Sequence, residues 1–127
     1  MLVGYSLGAD VIPFAVTRLP GGALKRLSGV VLIGPSPTVR LESHTMDVSN
    51  KQTLPPVLHL LPELMKIKKQ DILCIAGTEE KYSLCKDAMI GKQRPNVEIQ
   101  ILPGGHTFRE DRDAICRIIA QKIGVSR

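Results

Sequence analysis

Three residue types, met in this order along the chain, have the chemistry of acyl transfer: a serine between glycines, a glutamate pair beyond an apolar run, and a histidine in a glycine loop. The serine is Ser6 in Gly4-Tyr5-Ser6-Leu7-Gly8. Gly-X-Ser-X-Gly at the end of an apolar strand and the start of a helix is the pattern of a nucleophile elbow, with the serine at a strained turn and glycines where the two backbones approach. A serine hydroxyl is a weak nucleophile until a base removes its proton, and an acid must orient that base. His106, in Pro103-Gly104-Gly105-His106, is the candidate base, and Glu80, shortly past the strand-ending Gly77, is the candidate acid with Glu79 as the alternative. The backbone N–H of Leu7 is the candidate oxyanion donor. A second donor normally comes from a loop after an earlier strand and is expected upstream of Met1.

The other groups of the same types have plainer readings. His59 lies in an apolar stretch and reads as a packed histidine, while His44 and Tyr5 are candidates for lining a pocket. Asp71 precedes its strand and so falls at the wrong end of the sheet. Asp10, one turn into the elbow helix, reads as a structural residue or a partner of the helix dipole. The three cysteines, Cys74, Cys85 and Cys116, lack the paired C-x-x-C spacing of a zinc site, so no metal is expected, and no cofactor. Cys74 and Cys85 are close enough in sequence to be bonded across a loop, and equally read as buried thiols.

Positioning such a site takes strands and helices in alternation. Leu7, Val11, Ile12, Ala15, Val16 and Leu19 recur at helical spacing up to Pro20-Gly21-Gly22, with Pro13 predicting a kink or a late helix start. Gly29 to Gly34 and Asp71 to Gly77 are apolar without alternation, as in strands covered on both faces of a parallel sheet. Residues 35 to 54 show no period and read as a loop or insertion. Pro62 is expected in the first turn of a short helix over Glu63 to Lys68, and Ser83 as the cap of a helix to about Ile90. Asn96 to Leu102 alternates, predicting an edge strand, and Glu110 to Ile123 reads as a terminal helix with Ala114, Ile115, Ile118, Ile119 and Ile123 on one face. The order gives an α/β fold of about four parallel strands flanked by helices.

Composition narrows the function. The 127 residues make one domain at most, and 43% hydrophobic content fits a globular chain. With 3% aromatics and no Trp there is little to stack on bases, so nucleic acid is excluded as a partner. The net charge of +5 is dispersed apart from Lys66, Lys68 and Lys69, which read as a solvated face, though it allows contact with a membrane surface. No run approaches the ~20 apolar residues of a membrane span.

With these residues in place the chain resembles the VirJ and AcvB virulence-protein domain, a branch of the α/β-hydrolase superfamily, along nearly its whole length. The similarity is carried by Gly4 to Val11, Ile33 to His44, Leu73 to Glu80 with Ser83 to Cys85, and Leu102 to His106. It implies that residues 1–127 are the C-terminal part of a larger domain whose earlier strands precede the elbow. It also implies a periplasmic serine esterase acting on an aminoacyl-phospholipid ester such as lysyl-phosphatidylglycerol, with Ser6 as nucleophile, His106 as base and Glu80 or Glu79 as acid. Cys74 and Cys85 match family cysteines, and an oxidising periplasm favours their disulfide. The chain departs from the family where Lys81-Tyr82 replaces a more acidic stretch, which leaves both glutamates in play.

Two further expectations follow from that placement. An elbow strand is central in the α/β-hydrolase order, so a chain that starts there leaves an unpaired apolar edge, a site for self-association. With one oxyanion donor, activity of this chain alone is expected to be weak or absent. The competing reading is a non-catalytic interaction module, or a fragment, linked to type IV secretion and virulence.

Overall fold

The unbroken apolar runs become strands buried on both faces. The computed structural model describes residues 1–41, 55–91, 94–109 and 111–124. Strands β1 (Leu2–Tyr5), β2 (Gly29–Ile33), β5 (Asp71–Gly77) and β6 (Val97–Leu102) form a parallel sheet in the order β1-β2-β5-β6. Val30 pairs with Ile72, and Cys74 pairs with Leu32 on one side and Ile99 on the other. The period of two sorts the side chains into two cores. Val30, Leu32, Ile72, Cys74 and Ala76 pack with helices α1 (Leu7–Val16) and α3 (Leu60–Leu64). Val31, Ile33, Leu73 and Ile75 pack with Phe108 and with Ile115 of α5 (Arg112–Ile123).

The α/β class, the parallel strands and the edge position of β6 are as the sequence predicts. Helix α1 starts directly after Ser6 and runs through Pro13 to Val16, so the late start does not occur. Between α1 and β2 lies a short helix that the sequence reading misses, α2 (Gly21–Arg26), opened by Pro20 with Leu24 N–H bonded to its carbonyl at 2.9 Å. The expected loop after β2 contains two-residue strands β3 (Thr38–Val39) and β4 (Leu58–His59) in antiparallel pairing. His59 is exposed there rather than packed. Helix α3 begins before Pro62 and ends at Leu64, earlier than expected.

Ser83 does cap, its hydroxyl accepting from Cys85 N–H at 3.2 Å, but only a 3₁₀ turn follows (Leu84–Lys86). The Asp87 carboxylate takes the Met89 N–H at 2.9 Å and starts a separate turn, α4 (Ala88–Gly91), so one expected helix becomes two. At the terminal helix Asp111 is the cap, accepting from Ala114 N–H at 3.0 Å, and Gly124 closes it with φ 82°. Ile123 is 55% exposed, one turn beyond the covered face. Expected residue Glu110 lies outside the described residues, as does His44.

Cys74 and Cys85 are joined by a disulfide, with Cα atoms 5.4 Å apart. A disulfide persists in oxidising compartments, and this one suggests an extracytoplasmic compartment for the chain. Among the described residues no helix is long and apolar enough to cross a membrane.

Helices α1 and α3 are clamped by Glu63, which is buried at 7% exposure. Its carboxylate accepts from the Thr17 hydroxyl, from Arg18 Nη1 at 2.9 Å and from Lys66 Nζ at 2.9 Å. Those bonds, Thr17's foremost, lower its pKa from 4.5 to about 2. A carboxylate with a lowered folded pKa contributes stability that is full above its unfolded pKa and is lost as pH falls through the folded one. Glu63→Gln is therefore expected to cost about 1 kcal/mol at neutral pH, a value kept small because Arg18 and Lys66 end in solvent. The difference from the parent should shrink as pH falls from 4.5 toward 2, as urea unfolding at several pH values would measure.

Candidate active site

Ser6 sits between β1 and α1 with φ 56° and ψ −119°, a conformation rare for a residue with a side chain and of the kind stored at functional turns. As the residue before a helix it would ordinarily turn its hydroxyl onto the first-turn N–H groups. It makes no such cap bond. Its Oγ instead lies 2.9 Å from Nε2 of His106. The tight turn requires Gly4, where a Cβ would stand 2.5 Å from Ile12 Cδ1 and 2.7 Å from the Gly8 backbone. Gly8 itself has open space beyond its Cα, so the flanking glycines are not equivalent, contrary to the sequence reading.

His106 is held from three directions. Gly104, with φ 107°, turns the chain after β6, and Phe108, 2% exposed and with φ 51°, pins the far side of the loop into the core. Tyr5 donates its hydroxyl proton to the His106 carbonyl at 2.9 Å, and its ring stacks on the imidazole with centroids 5.4 Å apart. The carboxylate of Glu80 meets His106 Nδ1. Glu80 is fixed in turn, its other oxygen accepting from Gly77 N–H at 2.7 Å and its side chain only 9% exposed. Glu79 is exposed and lies against Gly105 instead.

Beneath this chain of bonds lies Gly34, at the end of β2 with φ 64°. A Cβ there would stand 2.8 Å from His106 Cε1 and 3.2 Å from Glu80 Oε1. Sequence reasoning saw Gly34 only as a strand end. The available signal was a glycine directly between an apolar strand and Pro35, on the side of the sheet where the other candidates cluster. The following loop is tied down by Asp10, which accepts from Ser36 N–H at 2.7 Å. Burial raises the Asp10 pKa, an effect partly offset by that N–H and by a coulombic interaction with His106. Asp10 is thus a structural residue that also faces the electrostatics of the site.

Of the candidates, Ser6, His106 and Glu80 come together, with Tyr5 beside them. Leu7 contributes the first N–H of α1, which has no carbonyl partner within the helix. Asp71 opens β5 at the opposite end of the sheet. Next to Tyr5 is a cavity of about 330 Å³ walled by Ile33, Phe108 and Ile115, with Arg112 and Cys116 also lining it. Of its walls, Ile33 and Ile115 read in the sequence as apolar faces of a strand and a helix, and Tyr5 as a pocket residue.

No curated protein and no solved structure gives a match to the chain. A family model described as bacterial virulence protein (VirJ) matches residues 1–126, and on that span the chain belongs to the VirJ family.

Proposed function

We propose that this VirJ-family chain carries the catalytic groups of a serine hydrolase that cleaves a carboxylic ester. The observation that carries the reading is the continuous chain from Glu80 through His106 to Ser6, with Nε2 to Oγ at 2.9 Å, built on a serine whose strained turn leaves its hydroxyl off the helix it precedes. In the proposed reaction Ser6 Oγ attacks the ester carbonyl carbon as its proton passes to His106 Nε2. Glu80 accepts from Nδ1–H and holds the imidazole in the orientation and tautomer that leaves Nε2 free. The Leu7 N–H donates to the oxyanion. His106 then gives its proton to the leaving alcohol, and water, deprotonated by the same nitrogen, releases the acyl group from Ser6.

The substrate class we propose is an aminoacyl ester of a phospholipid, lysyl-phosphatidylglycerol being the example, in the periplasm. Family membership, the disulfide, and an apolar cavity lined by Tyr5 and Arg112 support it, since such a substrate has an apolar body and an anionic phosphate. Incubation with lysyl-phosphatidylglycerol in detergent micelles should release lysine. Ser6→Ala should lower that release by about 10³-fold or more. Equal release by the parent and Ser6→Ala would exclude Ser6 as nucleophile for this substrate.

A further inference from the structure

The lysines near residue 66 read in the sequence as a solvated face, but the fold adds another chain segment to them. Lys25, at the end of α2, joins Lys66, Lys68 and Lys69 around a cleft of about 590 Å³ lined also by Leu24 and Leu27. Only Lys66 is neutralised, by Glu63 at 2.9 Å; among the described residues Lys25, Lys68 and Lys69 pair with no carboxylate. The nearest acid in sequence, Asp71, lines a different hollow with Lys122. The cleft precedes β2 and β5, whereas Ser6, Glu80 and His106 follow β1, β5 and β6. A strand as long as Asp71–Gly77 separates the two ends of the sheet by roughly 20 Å.

We propose that this cleft docks an acidic, partly apolar segment of a partner protein. Uncompensated cations around leucine side chains fit carboxylates interspersed with apolar residues, by charge and by burial together. Lysines serve carboxylate and phosphate alike as point charges, so it is the leucines set among them that favour a peptide. A membrane surface would meet a convex basic face rather than enter a recess. The site is independent of the esterase reading.

The test uses the full chain and a fluorescein-labelled peptide of alternating Glu and Leu, followed by anisotropy. Saturable binding is expected, weakened about tenfold or more in Lys25→Glu/Lys68→Glu/Lys69→Glu and by added salt. The same change of charge at the exposed Arg40, Arg109 and Arg117 should alter it by no more than about twofold, since those residues lie outside the cleft. Circular dichroism confirms that both variants fold, and Ser6 reactivity should be equal in both. Absence of peptide binding, equal loss in the two variants, or binding of phosphatidylglycerol vesicles in place of the peptide, abolished by the cleft substitutions, would each overturn the proposal.

Discussion

Glu80→Gln is expected to lower kcat/KM for ester hydrolysis by about 10⁴-fold, and Glu79→Gln by less than about threefold. The reason is tautomeric. Glu80 spends one oxygen on Gly77 N–H and presents the other to His106 Nδ1. A glutamine keeps the Gly77 bond only through its carbonyl oxygen, which leaves its NH₂ facing Nδ1. That donor stabilises the imidazole with its proton on Nε2, the nitrogen that must accept from Ser6. The base is then lost while the fold is kept. Glu79 reaches neither nitrogen, so its replacement tests the assignment between two adjacent carboxylates. The measurement is steady-state hydrolysis by both variants, with matched urea unfolding curves to show that folding is unchanged.

Gly34→Ala is expected to lower kcat/KM by about 10²-fold through geometry alone. The added methyl would lie 2.8 Å from Cε1 and 2.9 Å from Nδ1 of His106, so the imidazole must move. Its side chain is 44% exposed, which gives it room to move outward, away from Ser6. A displacement near 1 Å is enough for a loss of that size. The positive φ adds about 1–2 kcal/mol of instability. Gly22→Ala is the control, since a Cβ there meets nothing within 4 Å and the residue lies in α2. That variant should keep full activity and match or exceed the parent in thermal stability.

How much of this was legible in the sequence follows from which forces write themselves locally. Apolar runs such as Val30 to Ile33 and Ile72 to Ala76 announce strands covered on both faces, because two cores need both sides of the sheet. The order of Ser6, Glu80 and His106 could be read because each follows a strand on the same end of the sheet. What could not be read is set by tertiary contact. Nothing local marks α2, whose opening Gly21-Gly22 looks like a stop, or the pairing of Thr38 with His59 across the insertion. The split at Asp87 depends on a side chain preferring Met89 N–H over continuing a helix. Spacing past Gly77 already favours Glu80, but the contact with His106 that distinguishes it from Glu79, and the need for Gly34, arise from atoms brought together from the ends of β2, β5 and β6. The lysine cleft likewise exists only once α2 packs beside the approach to β5.

The most direct measurement of Ser6 as a nucleophile is its reaction with a fluorophosphonate probe, read by intact mass and by peptide mapping. A single adduct on Ser6 is predicted, absent in Ser6→Ala and slowed by about 10³-fold or more in His106→Ala, because the probe needs a serine activated by its base. No adduct on the folded chain, or an adduct that persists in Ser6→Ala, would contradict the hydrolase reading and leave the elbow as a structural turn.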